Sequence, residues 1–355
     1  MRILHICSAK TIGGGERHVA DLSNLLAARG HEVFAALPPD SPLGNLLCLP
    51  PENLIISRMR NALDVLSARR LAKFVREKEI EIIHAHAARD YLPTAICSKL
   101  TGKPFVLTRH VLFPMKRANS FFLGGATGVI AVSNAVAGVL KTTFPPEKIT
   151  TIYNGIDLKR FSFNPKKPNR VLKIGTIGHL APIKGHDVFI EAAKIASEKL
   201  QNVQFVIVGE DKSKVGENRR NIEYLIAKSN LGEKIKLIGW VDDIRPILND
   251  FDLFVSAARS EPFGLVLLEA MASGVPIVAT QTEGAQEIIE NNKSGILTPL
   301  EDAGLLAEKI LDLLNSPEKR KNLSVNGRKR VGDCFSLEKM VLETENFYRG
   351  VLEKQ

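Results

Sequence analysis

Two glutamates, Glu261 and Glu269, stand with seven residues between them in Arg259-Ser-Glu-Pro-Phe-Gly-Leu-Val-Leu-Leu-Glu269. The first precedes a break at Pro262–Gly264, and the second falls inside a helix expected to open at about Leu265, so both can face one cleft. Such a carboxylate pair can do general acid/base work. It can equally accept hydrogen bonds from sugar hydroxyls, because an ionised carboxylate is a strong acceptor. A helix-start acid favoured by the dipole fits Glu269 less well, since it lies further inside. Lys184-Gly185 follows a buried strand and a Gly178-His-Leu-Ala-Pro-Ile turn, again at a helix start. A lysine there can hold a phosphate as a point charge, although a solvated surface lysine has the same signature. Gly13-Gly-Gly15 before a helix lets the backbone come close to an anion that the helix N-terminus attracts; a plain turn fits it as well. The spacing is not G-x-G-x-x-G, and no acid follows a second strand at about 20 residues, which disfavours a nicotinamide cofactor.

The elements that carry these residues alternate. Arg2–Cys7 reads as a strand, Glu16–Arg29 as a helix with Gly30 as its cap, and His31–Leu37 as the next strand, one unit of a parallel sheet. Helices from about Leu63 to Glu79, near Tyr91–Leu100 and through Thr142 alternate with strands at Ile80–His84, Pro104–Thr108, Gly128–Val132 and Ile149–Tyr153. Phe161–Arg170 loses the pattern and reads as a linker. A second series follows, with strands at Val171–Thr176, Val203–Val208, Ile235–Ile238, Asp252–Ser256, Val275–Ala279 and near Ile296. The expectation is an α/β chain of two doubly wound, Rossmann-like domains, 1–163 and 164–335, facing across a cleft.

Composition sets the outer bounds. At 355 residues, 45% hydrophobic and 25% charged, the chain has ordinary globular usage and room for two domains. Cys7, Cys48, Cys97 and Cys334 are scattered, with no C-x-x-C pair and no clustered histidines, so neither a metal site nor a disulfide framework is expected. Each cysteine reads as a small buried hydrophobe, and a reducing cytoplasm fits. No signal peptide is visible, and the uncharged stretch Ala118–Leu140 reads as turn, strand and a helix capped near Ser133 rather than a membrane span. Residues 1–160 hold 21 Lys/Arg against 12 Asp/Glu, whereas 161–355 hold 27 of each, so the whole excess of +9 lies in the first half. That points to an anionic partner there.

Taken together, Gly13-Gly-Gly-Glu-Arg17, Asn154-Gly-Ile-Asp157, Gly178…Lys184-Gly185 and Glu261-Pro-Phe-Gly264…Glu269-Ala-Met-Ala-Ser-Gly274-Val-Pro276 resemble the family-4 glycosyltransferases over nearly the whole length. These are retaining enzymes of the GT-B fold that use nucleotide-diphosphate sugars. The resemblance implies that Glu261 holds hydroxyls of the donor sugar and Glu269 the ribose hydroxyls. Lys184 would neutralise the pyrophosphate with backbone N–H groups at Gly264, Leu265 and Val266, and Gly14 and Gly15 would approach the same phosphates from the other domain. His110 matches the histidine the family places near the transferred sugar; a hydrogen-bonded loop histidine is the plainer alternative. The final helix, about 336–355, would cross back to the first domain. Where the family commonly has arginine after the glycine, this chain has His179, a weaker source of fixed charge, leaving Lys184, Arg109 or Arg259 to compensate.

The implied activity is transfer of a sugar from a nucleotide-diphosphate donor to a hydroxyl acceptor, with no cofactor and no metal. Asp250-Phe-Asp252 resembles a metal-binding D-x-D, but Asp252 begins a buried strand, and Asp242-Asp243 reads as a helix N-cap. The acceptor expected is a cell-envelope glycan or glycolipid such as a lipopolysaccharide core. Arg69, Lys73 and Arg76 form one helical stripe opposite Ala68, Leu71, Ala72 and Val75, which suits an anionic membrane surface or an ordinary solvated face. Met115–Leu123 would add an interfacial contact, making a cytoplasmic, peripheral protein. Nucleic acid is not an expected partner, because no basic motif is interleaved with aromatics. Two rivals remain at this level: a nucleotide-sugar epimerase or hydrolase on the same fold, and a sugar-binding protein without chemistry.

Overall fold

Short apolar strands joined by helices build two parallel sheets, each in its own compact unit of the computed structural model, which describes residues 1–59, 64–115, 123–161, 163 and 171–354. One unit comprises Met1–Gly155 and Leu337–Gln355, and the other Ile156–Ser336.

In the first unit the chain runs β1 (Arg2–Ile6), α1 (Gly14–Ala28), β2 (Glu32–Leu37), β3 (Leu54–Ile56), α2 (Val65–Glu77), β4 (Ile82–Ala85), α3 (Tyr91–Thr101), β5 (Phe105–Arg109), β6 (Gly128–Ala131), α4 (Asn134–Leu140) and β7 (Ile149–Thr151). The strand order is β3-β2-β1-β4-β5-β6-β7, with every pairing parallel. Helix starts follow capping chemistry: the Asp64 carboxylate accepts the Ser67 N–H ahead of α2, and Ser133 Oγ accepts the Val136 N–H ahead of α4. Gly14 and Gly15 are the first two residues of α1 and not a turn, because Gly13 in extended conformation already serves as the N-cap. β3 has no counterpart in the sequence reading, since three residues following two proline-started 3₁₀ turns give no periodicity to detect.

The second unit carries β8 (Leu172–Ile177), α5 (His186–Lys199), β9 (Val203–Val208), α6 (Glu217–Lys228), β10 (Ile235–Ile238), α7 (Arg245–Asp250), β11 (Leu253–Ser256), α8 (Leu265–Ala272), β12 (Ile277–Thr280), α9 (Glu283–Ile288), β13 (Ile296–Thr298), α10 (Ala303–Leu314) and α11 (Pro317–Cys334). Its parallel sheet has the order β10-β9-β8-β11-β12-β13. Asp243 does not cap α7 as expected. Ile244 takes the N-cap position, and the Asp243 carboxylate, one residue early, accepts from the Arg245 N–H at 3.0 Å and from its guanidinium.

α12 (Leu337–Leu352) belongs to the first unit and packs against α1. Tyr348 is fully buried there among Leu22, Leu26, Met340 and Val341, and its hydroxyl bonds His84 Nδ1 inside the sheet. Glu345 beside it pairs with Arg29 at 2.8 Å and faces His31 at 3.4 Å. Gly128 on β6 leaves space for Phe347, whose ring would stand 2.4 Å from any Cβ there.

Cys7 and Cys97 are buried, and burial pushes both thiols up to about 12, but Cys48 is exposed and Cys334 half-buried, so not every cysteine is a core residue. Among the described residues no helix is long and apolar enough to cross a membrane. The interfacial contact expected of Met115–Leu123 falls largely on 116–122, and the linker largely on 162 and 164–170, outside the described residues.

Tyr348→Phe keeps the packing and removes the hydroxyl, leaving a buried imidazole nitrogen unpaired. The expected loss is about 1–3 kcal/mol, read as faster hydrogen exchange in the first unit; unchanged protection would mean that the bond contributes nothing.

Candidate functional site

A doubly wound sheet offers a crevice where neighbouring strands send their crossovers to opposite sides. In the second unit that point lies between β8 and β11, which pair directly. Gly178 and His179 follow β8, and the loop from Ala257 to Gly264 follows β11, so the residues singled out by type are brought to one strand edge.

The two loops are knit by backbone. Arg259 N–H donates to Ile183 O at 2.8 Å. Gly185 has φ +64°, and a Cβ there would stand 1.9 Å from Ala257 O, so only glycine permits this approach. Lys184, just before it, ion-pairs with Glu261; both side chains are mostly enclosed. The Glu261 loop is held from behind, with Ser260 Oγ at 3.1 Å and the Glu261 N–H at 3.3 Å both donating to the Glu283 carboxylate, and the Gly284 N–H donating to Glu261 O at 2.9 Å.

Gly264 then turns the chain into α8 with φ +109° and no side-chain cap. The first N–H groups of a helix have no intrahelical acceptor, so those of Leu265 and Val266 present the positive end of the helix. Glu269 sits one turn in and is half-buried. Asp250 and Asp252 are committed elsewhere: Asp250 pairs with Lys173 Nζ at 2.6 Å, and Asp252 accepts the Lys173 N–H at 2.8 Å.

His179 stands near two lysines at this edge. Burial, reinforced by Lys212 and Lys184, lowers its pKa below the ordinary imidazole range, so it carries no fixed charge near neutrality. Arg259 is already engaged: Asp187 meets its guanidinium twice, at 2.9 and 2.7 Å, and Glu301 pairs with it as well. Lys212 is the cation that the sequence did not single out. It lies in a loop after β9, beyond any motif, and only the fold brings it near His179.

Gly14, Gly15 and His110 lie in the first unit, whose strand order also reverses its winding, between β1 and β4. Here five histidines converge, contrary to the expectation of none clustered. His5 on β1 is in register with His84 on β4, His86 follows β4, His18 lies on α1 and His110 follows β5. His84 is satisfied on both sides, by Tyr348 and by Thr108 Oγ1 at 2.7 Å. His5 Nδ1 and His86 Nε2 share one hydrogen bond of 2.9 Å. Both nitrogens of His18, Nδ1 of His86 and Nε2 of His110 are buried and without a partner among the described residues. Asn154 approaches His18 without reaching hydrogen-bond geometry, and its Oδ1 is also unpaired. The His84-Ala-His86 spacing, which puts two imidazoles on one side of a strand end, was the available sequence signal.

Burial pushes His5 down to about 3 and His18 to about 4, and holds His84, His86 and His110 well below the ordinary range. The folded state therefore favours neutral rings that the unfolded chain protonates near 6.5. Stability from this source is fully present above that value and is lost as pH falls towards the folded pKa. Each such ring adds a slope of about 1.4 kcal/mol per pH unit. Urea titrations of the first unit between pH 7.5 and 5 should show it, and His18→Asn should shallow the slope by about one proton; an unchanged slope would place the uptake elsewhere.

The group 1 glycosyl transferase model matches residues 157–330, and the glycosyltransferase family 4 model residues 12–160. An uncharacterized glycosyltransferase of Methanocaldococcus jannaschii is 30% identical over 306 residues, covering 82% of each chain. An Escherichia coli enzyme named UDP-Gal:alpha-D-GlcNAc-diphosphoundecaprenol alpha-1,3-galactosyltransferase is 26% identical over 313 residues, covering 80% of this chain and 79% of its own. Among solved structures, Anabaena HepE in complex with UDP and glucose superposes with a TM-score of 0.87 at 21% identity, covering 99% of this chain and 100% of its own, a likeness of fold. With matches in both units and a relative alike over most of both chains, this chain belongs to the family 4, group 1 glycosyltransferases of GT-B fold.

Proposed function

We propose that this glycosyltransferase takes its sugar from a nucleotide-diphosphate donor bound at the β8/β11 edge and passes it to a hydroxyl acceptor with retention of configuration. The observation that carries the proposal is the Lys184–Glu261 pair beside the uncapped start of α8. A pyrophosphate there draws Lys184 from the carboxylate and accepts the N–H groups of Gly264, Leu265 and Val266. Glu261, released from the lysine, accepts the sugar hydroxyls, and Glu269 those of the ribose. Lys212 supplies the charge that His179 lacks.

Glu261 is tied at its main chain to α9, and in this reading its side chain passes from Lys184 to the sugar hydroxyls, the part of a grip and not of a covalent nucleophile. Front-face departure assisted by the leaving phosphate is therefore the working mechanism, with the developing phosphate charge stabilised by fixed donors. His110 in the first unit is proposed to face the transferred sugar, with Gly15 beside it and no side chain in between: a Cβ on Gly15 would stand 3.7 Å from the ring.

For the acceptor, a cell-envelope glycan or glycolipid is supported by the relative named for a lipid-diphosphate-linked substrate. Arg69, Lys73 and Arg76 are exposed along α2, next to Leu66, which is 78% exposed. A cytoplasmic protein lying on an anionic membrane would use this face, though Lys73 already meets Glu77 at 3.6 Å and Arg76 donates to Leu100 O.

Lys184→Ala and Glu261→Gln should each cut transfer by about 10²–10³-fold with circular dichroism unchanged. A panel of nucleotide-diphosphate sugars should raise the melting temperature of the parent protein and not of Lys184→Ala. Near-normal turnover in either variant removes the assignment. Lys212→Ala should weaken donor binding by about threefold to tenfold and spare the transfer step, in line with a partly exposed charged contact; equal affinity would return the compensating role to Lys184 alone.

A further inference from the structure

The two histidine triads of the first unit differ in what their nitrogens already do. His5, His84 and His86 lie close enough to share an ion, but His84 has both nitrogens engaged, and His5 and His86 spend one each on the other. His18, His86 and His110 also bring one nitrogen apiece within 4.8 Å of one another, and all three keep unpaired nitrogens. His18 and His86 are each 5% exposed.

The three rings stand at the corners of a small triangle. Centroids are 4.9 Å apart for His18 and His110, 5.8 Å for His18 and His86, and 6.2 Å for His86 and His110. Three imidazoles on one tetrahedral zinc, with Zn–N near 2.0–2.1 Å, would have centroids roughly 5 Å apart. Side-chain rotations of an ångström or so would close the difference.

We propose that His18, His86 and His110 form a binding site for a borderline divalent transition ion, of which Zn²⁺ is the type. The set has three imidazoles and neither thiolate nor carboxylate, which suits zinc, copper, nickel or cobalt and does not suit magnesium or calcium. The second shell is in place: His86 Nε2 meets His5 Nδ1 at 2.9 Å, so a proton on His86 Nε2 leaves its Nδ1 lone pair for the ion. Burial keeps all three rings neutral, the form that ligates. Three protein ligands leave a fourth position for water or a sugar hydroxyl. Gly15, bare beside His110, adds no side chain on that side. This goes beyond the donor proposal and shares with it only His110 and the neighbouring Gly15.

The test uses the full chain without a polyhistidine tag, stripped with a chelator, and without donor or acceptor. Cobalt(II) should bind at one equivalent with the visible ligand-field bands of a four-coordinate nitrogen site, and zinc should displace it. X-ray absorption of the zinc form should show about three imidazole nitrogens near 2.0–2.1 Å. His18→Ala and His86→Ala should abolish the stoichiometric site, and His5→Gln should weaken it by about 10–100-fold. No saturable equivalent in the parent protein overturns the proposal. So does a zinc shell of sulfur or of oxygen alone, a reading that needs no variant to fold. A folded His18→Ala that binds as tightly as the parent overturns it as well. None of these outcomes touches the donor proposal, which is read at Lys184 and Glu261.

Discussion

When the crossovers of a parallel sheet change sides, two neighbouring strands send their following loops apart, and backbone polar groups at their carboxyl ends are left uncovered. That constraint organises each unit of this glycosyltransferase. In the second unit the edge lies at β8 and β11, and the chain fills it with groups that tolerate exposure to an anion: Gly178, Lys184, and a helix start whose cap residue is a glycine without a side chain. In the first it lies at β1 and β4, and the chain fills it with imidazoles from both strands. The same topology has been furnished with opposite chemistry, charged and hydrogen-bonding in one case, neutral and enclosed in the other.

Much of the frame was readable because strand and helix periodicities are local. Val203–Val208 and Ile235–Ile238 match the sequence reading residue for residue, and the helix opening at Leu265 is fixed by Pro262 and Gly264 ahead of it. What was not readable is pairwise. Nothing along the chain says that Lys184 rests on Glu261, since their closeness depends on β8 pairing with β11. The five histidines are separated by as much as 105 positions, from His5 to His110, and only the register of β1 on β4 on β5 gathers them. Asp243 failed as a cap by one residue, within the ordinary uncertainty of a helix boundary.

The excess charge and the proposed donor site lie in different halves of the chain. The excess of +9 belongs to residues 1–160, whereas most groups proposed to hold the pyrophosphate lie in the balanced half. At physiological ionic strength, exposed charges are screened over about 8 Å, so a pyrophosphate responds to the few groups within that distance and not to the sum. Arg259 makes the point from the other side: it is formally a cation beside the site, but Asp187 and Glu301 have already neutralised it. Lys184 is also paired, with the difference that its partner is the residue proposed to take up the sugar hydroxyls.

The buried imidazoles pose the sharper energetic question. A buried polar group without a partner costs about 1–3 kcal/mol, and a folded domain has only about 5–15 kcal/mol in hand. His18, His86 and His110 present four such nitrogens within one small space, with Asn154 Oδ1 beside them. A purely structural histidine solves its problem as His84 does, between a tyrosine and a threonine. His18, His86 and His110 find no such partners for these nitrogens among the described residues, and burial disfavours the imidazolium form. A site that keeps its donors and acceptors unsatisfied at that cost is one whose partner comes from outside the chain.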